Sequence, residues 1–114
     1  MGEDNAGVAT QPAQPLTGVR IVDLGGELSA YGTKLLAAFG ADVVKVEPPG
    51  GDPMRRKGPI KRGATGPEAS LSFAYYHTDK RGITLDFRRD DAIPVLERLA
   101  RDADVVVISP SRRV

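Results

Sequence analysis

The residues of this 114-residue chain best suited to chemistry are cations. Arg55, Arg56, Lys57, Lys61 and Arg62 crowd the stretch that follows Glu47-Pro48-Pro49-Gly50-Gly51-Asp52-Pro53, while Lys80, Arg81, Arg88 and Arg89 flank the run Gly82–Phe87. Mobile ammonium and guanidinium groups can hold a phosphate-rich ligand, and Pro and Gly can shape a groove for its apolar or adenine portion. The competing reading for any one of these residues is a solvated surface charge. Net charge is only +1, so there is no bulk field to gather nucleic acid or an anionic membrane.

Other chemistries fit less well. Dinucleotide binding needs G-x-G-x-x-G at the first strand-to-helix turn, where backbone approaches a pyrophosphate. The turn here is Gly25-Gly26-Glu27-Leu28-Ser29-Ala30-Tyr31-Gly32, with the wrong glycine spacing and a carboxylate beside the phosphate position. Glu47, about twenty residues on, does imitate the ribose-binding acid. A Walker A loop is absent. His77 is the only histidine and there is no cysteine, so one chain can build neither a His-based metal cluster, a thiolate site nor a Ser-His-Asp triad. A lone histidine beside Tyr75 and Tyr76 reads as a packed or surface residue. Asp23, Asp86 and Asp104 lie in or beside strands, and Asp104 reads as a cap or turn acceptor. The expectation is therefore no metal-ligating residue. Absence of cysteine, of an apolar run near the ~20 residues of a membrane span, and of a secretory signal in Met1–Gln14 leads to a cytoplasmic expectation.

The elements that must position these residues follow from periodicity. Residues 1–15 have little bulky apolar content and read as a flexible arm, with one domain from 16 onward. Val19–Leu24 reads as a strand ended by Gly25-Gly26. Ser29 is the expected N-cap of a helix reaching Phe39, with Tyr31, Leu35, Leu36 and Phe39 as its stripe and Gly40 as its left-handed C-cap residue. Val43–Val46 reads as a second strand, interrupted by Lys45 and stopped by prolines. Met54–Glu68 reads as a long exposed loop. Leu71, Ala74 and Tyr75 share helical spacing, and Ile83, Leu85 and Phe87 alternate as in a strand. Asp90 is the expected N-cap of a helix over Asp91–Arg101, with Pro94 in its first turn and Ile93, Leu96, Leu99 and Ala100 as its buried stripe. Val105–Ile108 reads as a strand covered on both faces. This order implies an α/β fold: a Rossmann-like parallel sheet with right-handed crossovers and helices packed on it.

Four blocks in this order carry a resemblance: Leu16–Leu24, Lys34–Leu36 through Val44-Lys45-Val46-Glu47-Pro48-Pro49-Gly50-Gly51-Asp52-Pro53-Met54-Arg55, Asp79–Asp86, and Leu99–Val107. Together they resemble the amino-terminal segment of class III CoA-transferases, the family of formyl-CoA transferase, carnitine CoA-transferase and α-methylacyl-CoA racemase. The resemblance implies part of a Rossmann-like large domain that takes coenzyme A or acyl-CoA as substrate, not as a tightly bound cofactor, at the strands' carboxyl ends. By position, Glu27, Leu28, Pro48, Leu85, Asp86, Phe87 and Arg88 would line that site, joined by Ser109, Pro110 and Ser111. Arg88 is expected to face phosphate. The resemblance also implies an interlocked homodimer in intact members, or a partner chain supplying the remainder. It places the aspartate that carries the acyl group, and the racemase's acid and base, beyond Val114. Two departures stand out. The first turn is one residue shorter than in formyl-CoA transferase, and Ile108-Ser109-Pro110-Ser111 replaces the family's Glu-Asn-Phe after the last strand.

Two readings of function follow. One is a CoA-binding amino-terminal portion of a family III CoA-transferase-like protein, inactive without the nucleophile. The other is a non-catalytic small α/β module that binds a nucleotide or a protein; a racemase-type relative is a variant of the first. A remnant with no stable fold is a third possibility, which a cooperative melt excludes.

Overall fold

A computed structural model describes residues 13–109. The first twelve residues of the expected arm, and Pro110 and Ser111, lie outside the described residues. From Leu16 the backbone is tied down, its N–H donating to the Phe39 carbonyl at 2.9 Å.

Four strands, β1 (Arg20–Asp23), β2 (Asp42–Glu47), β3 (Arg81–Thr84) and β4 (Val105–Val107), form one sheet in the order β3-β2-β1-β4. Every pairing is parallel, with Ile21 opposite both Val43 and Val105, and Val46 opposite Ile83. The expected α/β parallel sheet is present. The chain leaves β1 toward β2 and β3 on one side and returns to β4 on the other, so the order reverses between β1 and β4. A crevice opens at such a switch point, outside the carboxyl ends of the strands.

The helix α1 (Glu27–Ala38) begins two residues before the expected Ser29 cap, with Gly26 as its N-cap and no capping side chain. Asp23 and Ser109 instead take the N–H groups of Gly25 and Gly26. Gly40 closes the helix at φ 107°, where an L side chain would be strained. The buried face of α1 is Ala30, Thr33 and Ala37, not the expected stripe: Tyr31, Leu35 and Phe39 are exposed and only Leu36 packs on the core of Ile21, Ala37, Ala41 and Val43. Small residues let the helix approach the sheet closely, and Thr33 gains a bond to Asp23 there. Two stripes share the helical period, and hydrophobicity selects the other one.

Between β2 and β3 the expected open loop is partly structured. Asp52 caps a 3-10 turn over Pro53–Arg56, Met54 is buried, and Ile60 pairs with Ser70 across an isolated antiparallel bridge. The expected short helix is α2 (Leu71–Tyr76), whose cap Ser70 accepts the Phe73 N–H at 3.0 Å. The helix α3 (Ala92–Arg101) starts after Asp91, not Asp90, and Asp91 makes no capping bond because Arg89 holds its carboxylate. Only Ala92 of α3 is buried; Ile93 is exposed, and Leu96, Leu99 and Ala100 are half-buried. The run expected to be covered on both faces, β4, is an edge strand that leaves Val105, Val106 and Ile108 exposed, because among the described residues only β1 pairs with it. No helix among the described residues is long and apolar enough to cross a membrane.

Candidate functional site

The carboxyl ends of all four strands converge on one cavity of about 470 Å³. Leu24, Gly25 and Gly26 line it after β1, Pro48 and Asp52 after β2, Phe87 after β3, and Ser109 after β4; Leu96 of α3 closes one side and Lys45 with Val46 forms part of the wall. The lining is mostly apolar, with a few placed polar groups, the usual make-up of a small-molecule site. A second groove of about 420 Å³ lies at the amino end of the sheet, where Arg20 and Arg81 flank it but both pair with Asp42. Its position away from the strands' carboxyl ends argues against it as the ligand site.

Beneath the cavity runs a chain of buried charges. Asp23 accepts from the Gly25 N–H at 2.9 Å and the Thr33 hydroxyl at 2.8 Å, and Lys80 Nζ lies 3.1 Å from its Oδ2. Lys80 also donates to Thr33 Oγ1 at 2.6 Å and reaches His77 Nδ1 at 2.9 Å. An ammonium can only donate, so the ring's own proton belongs on Nε2 and His77 is neutral. Burial, aided by the charges of Lys80 and Lys45, pushes the His77 pKa down to about 4. Burial also lowers the Lys80 pKa, with Asp23 pulling the other way. On the β2 side, Lys45 Nζ donates to the Gly25 carbonyl at 2.6 Å and lies 2.8 Å from Asp52 Oδ2. Burial opposes ionisation of Asp52, but hydrogen bonds from Lys45 and the Met54 N–H outweigh it and hold its pKa below the usual value. The Arg55 guanidinium grips Glu47 with two 2.7 Å bonds, which keeps that carboxyl below its usual value despite burial. Arg55 also stacks on the Phe73 ring at 3.8 Å.

Of the residues expected to line a site, Pro48, Phe87 and Ser109 meet in the cavity. Ser109 Oγ accepts the Gly26 N–H at 2.7 Å, which joins the β4 exit to the first turn. Leu85 is half-buried beside them, its N–H donating to the Glu47 carbonyl at 2.9 Å. The others point elsewhere. Glu27 is exposed and pairs with Lys57 at 2.9 Å. Leu28 is 79% exposed on α1 and outside the cavity lining, because the Gly25–Gly26 turn, which ends two residues before it, already faces the crevice. Arg88 is also outside the lining: its side chain is 83% exposed and chelates Asp86 through bonds of 2.9 and 3.1 Å. That pairing, first through the side-chain hydrogen bond, lowers the Asp86 pKa and raises that of Arg88. Of the other cations, Arg55, Lys57, Lys80, Arg81 and Arg89 are paired with carboxylates, while Arg56, Lys61 and Arg62 lie on the exposed loop.

Sequence reasoning missed Gly25, Gly26, Lys45, Asp52 and Leu96 as lining residues. One signal was available for Lys45: a lone charge in the middle of a buried strand must have a partner. Asp52, between Gly51 and Pro53, carried the signature of a turn cap.

Comparison with known proteins agrees with this architecture. The model of CoA-transferase family III matches residues 16–114. The subunit BbsE of succinyl-CoA:(R)-benzylsuccinate CoA-transferase from Thauera aromatica is 43% identical over 96 residues, which is 84% of this chain and 23% of the relative. Succinate–glutarate CoA-transferase from Agrobacterium fabrum is 41% identical over 99 residues, 82% of this chain and 24% of the relative. A CAIB/BAIF family protein from Brucella suis superposes with a TM-score of 0.75 at 34% identity, covering 85% of this chain and 26% of that one. The chain thus spans about a quarter of the length of the relatives it matches. With the parallel sheet and its rim crevice, these matches lead to one conclusion: the chain belongs to CoA-transferase family III.

Proposed function

We propose that this chain is the CoA-binding amino-terminal portion of an enzyme that moves coenzyme A from an acyl-CoA to a carboxylate. The carrying observation is the cavity at the ends of all four strands, where Pro48, Phe87 and Ser109 meet the Gly25–Gly26 turn. Leu24, Val46, Pro48, Phe87 and Leu96 form an apolar bed suited to an adenine ring. The Gly26 N–H suits a phosphate oxygen that takes the place of Ser109 Oγ. Arg88 can serve there only by sharing itself between Asp86 and the ligand.

The chemistry of the whole protein needs a carboxylate that attacks the thioester and expels CoA as thiolate; the thiolate then attacks the enzyme's own carbonyl and releases the donor acid, the acceptor carboxylate attacks the resulting enzyme–CoA thioester, and the thiolate finally takes the acceptor's acyl group and frees the enzyme carboxylate. No residue described here is assigned that role; the family resemblance puts it outside this chain. The chain alone therefore binds and orients CoA without transferring it. A chain carrying the remaining part, with the nucleophile, completes the enzyme, the whole protein pairs as an interlocked homodimer, and the cytoplasm is where its acyl-CoA substrates are met.

Calorimetric titration of the chain with CoA and with NAD tests this. Micromolar CoA binding without comparable NAD binding is expected. NAD binding without CoA binding overturns the proposal and favours the small nucleotide-binding module.

A further inference from the structure

We propose that Lys45 is a positioning residue: its buried ammonium locks the Gly25–Gly26 peptide so that the Gly26 N–H points into the cavity, where it donates to Ser109 Oγ until a ligand oxygen takes that place. This deepens the proposed CoA-binding function and rests on it.

Lys45 is 3% exposed, on a strand whose neighbours Val43 and Val46 are apolar. An ammonium there is costly unless oxygens surround it. It has two: the Gly25 carbonyl at 2.6 Å and Asp52 Oδ2 at 2.8 Å. Each belongs to a different wall of the cavity, the turn after β1 and the loop after β2. Asp52 is itself anchored, accepting the Met54 N–H at 2.8 Å and donating its own N–H to Glu47 Oε1 at 2.8 Å. The ammonium therefore braces one wall against a fixed point on the other.

The consequence lies in the geometry of one peptide. In a trans peptide the C=O and the following N–H point in opposite directions. Holding the Gly25 carbonyl down onto Lys45 turns the Gly26 N–H outward, where it meets Ser109 Oγ at 2.7 Å across the cavity. The Gly25 N–H is held as well, by Asp23 Oδ1 at 2.9 Å, so the turn is restrained on both sides of that peptide. The glycines divide the work. A Cβ on Gly25 would sit 1.9 Å from Ser29 Oγ, so this backbone is packed tightly against α1. A Cβ on Gly26 would meet only Ser109 Oγ, at 3.8 Å, leaving room on the cavity side for a ligand oxygen. Without Lys45 that peptide has no other partner holding its carbonyl among the described residues, and the N–H loses its preset direction.

The test compares the chain with Lys45→Met and with Val43→Ala, a core change away from the cavity. Urea melts, CoA calorimetry and the Gly26 amide signal in ¹H–¹⁵N spectra are recorded for each. Lys45→Met is expected to shift the ligand-free Gly26 amide and to weaken CoA binding about ten- to hundredfold, the worth of a charge-assisted hydrogen bond. Val43→Ala lowers the melt but keeps affinity within about twofold. Lys45→Met that binds CoA like the unmodified chain, or leaves the Gly26 amide unmoved, overturns the inference and leaves the site assignment standing. Should Lys45→Met not fold, the unmodified chain decides: CoA must move the Gly26 amide, and binding that leaves it untouched overturns the inference. No CoA binding by the unmodified chain instead removes the site assignment itself, and this inference with it.

Discussion

Replacing Lys80 by methionine removes one charge from the most deeply buried ion pair among the described residues. Lys80 Nζ and Asp23 Oδ2 are 3.1 Å apart, and both side chains are 1% exposed. The three ammonium protons have three acceptors in Asp23, Thr33 and His77, so the pair is fully satisfied as it stands. Methionine keeps the length and the apolar stem but leaves Asp23 charged, with only the Gly25 N–H and the Thr33 hydroxyl to hold it. Breaking a buried pair from one side costs about 3–5 kcal/mol. A domain of about 100 residues has only ~5–15 kcal/mol in total. At ~4–8 °C per kcal/mol, the melting temperature should fall by at least ~12 °C. Adding Asp23→Asn removes the orphaned charge and keeps an acceptor for Gly25, so the double variant should recover ~1–3 kcal/mol over Lys80→Met alone. Urea unfolding followed by far-UV circular dichroism at pH 7 measures both, with the slope checked for a two-state transition. A Lys80→Met chain within ~1 kcal/mol of the unmodified protein at an unchanged slope refutes the argument, as does a double variant no more stable than the single.

Acidification gives a second expectation. The fold favours neutral His77, lowering its pKa from 6.5 to about 4. Its stabilising contribution is therefore complete above pH 6.5 and is lost as pH falls toward 4, by about 3 kcal/mol over that window. His77→Gln keeps an acceptor for Lys80 but cannot titrate, so the urea midpoint of that variant should stay flat between pH 7 and 4.5; an unchanged slope there would falsify the assignment to His77. The lowered carboxyls of Glu47 and Asp52 act in a separate window, their contributions present above the ordinary values of 4.5 and 3.8 and lost below them. At the rim, Arg88→Ala should weaken CoA binding about tenfold if the guanidinium reaches phosphate. Asp86→Asn, which releases Arg88 from its chelating partner, should strengthen it; equal affinity in both variants removes Arg88 from the site.

How much was legible follows from what each element depends on. The strands read well because β-branched runs between glycine and proline stops have few alternatives. Gly40 as a helix stop is local chemistry, visible in a handful of residues. The buried face of α1 was not legible, because Ala30, Thr33 and Ala37 carry the same period as the bulkier Tyr31, Leu35 and Phe39. Close approach to the sheet decided between them, and closeness is a property of two elements together. The caps at Ser29 and Asp90 failed for a related reason. Asp23 and Ser109 hold the Gly25 and Gly26 N–H groups, so the first helix already starts at Glu27, and Arg89 holds the carboxylate of Asp91, after which the last helix starts. Pro48, Phe87 and Ser109, expected from the resemblance, line the cavity, while Leu28 and Arg88, expected on the same ground, face outward.

Order along the chain settled the class of the protein. Alternating strands and helices imply a parallel sheet with right-handed crossovers, whose rim is where a ligand is expected. Which cations meet a ligand was decided only in three dimensions. Arg55, Lys80 and Arg81 look equivalent to Arg88 in one dimension, yet folding brings Asp23 and Asp42 to Lys80 and Arg81 from strands far along the chain, and a tight turn brings Glu47 to Arg55. Lys45 gains its role from a carbonyl twenty residues away. Charge pairing is a matter of a few ångströms, and only the packed sheet sets distances on that scale.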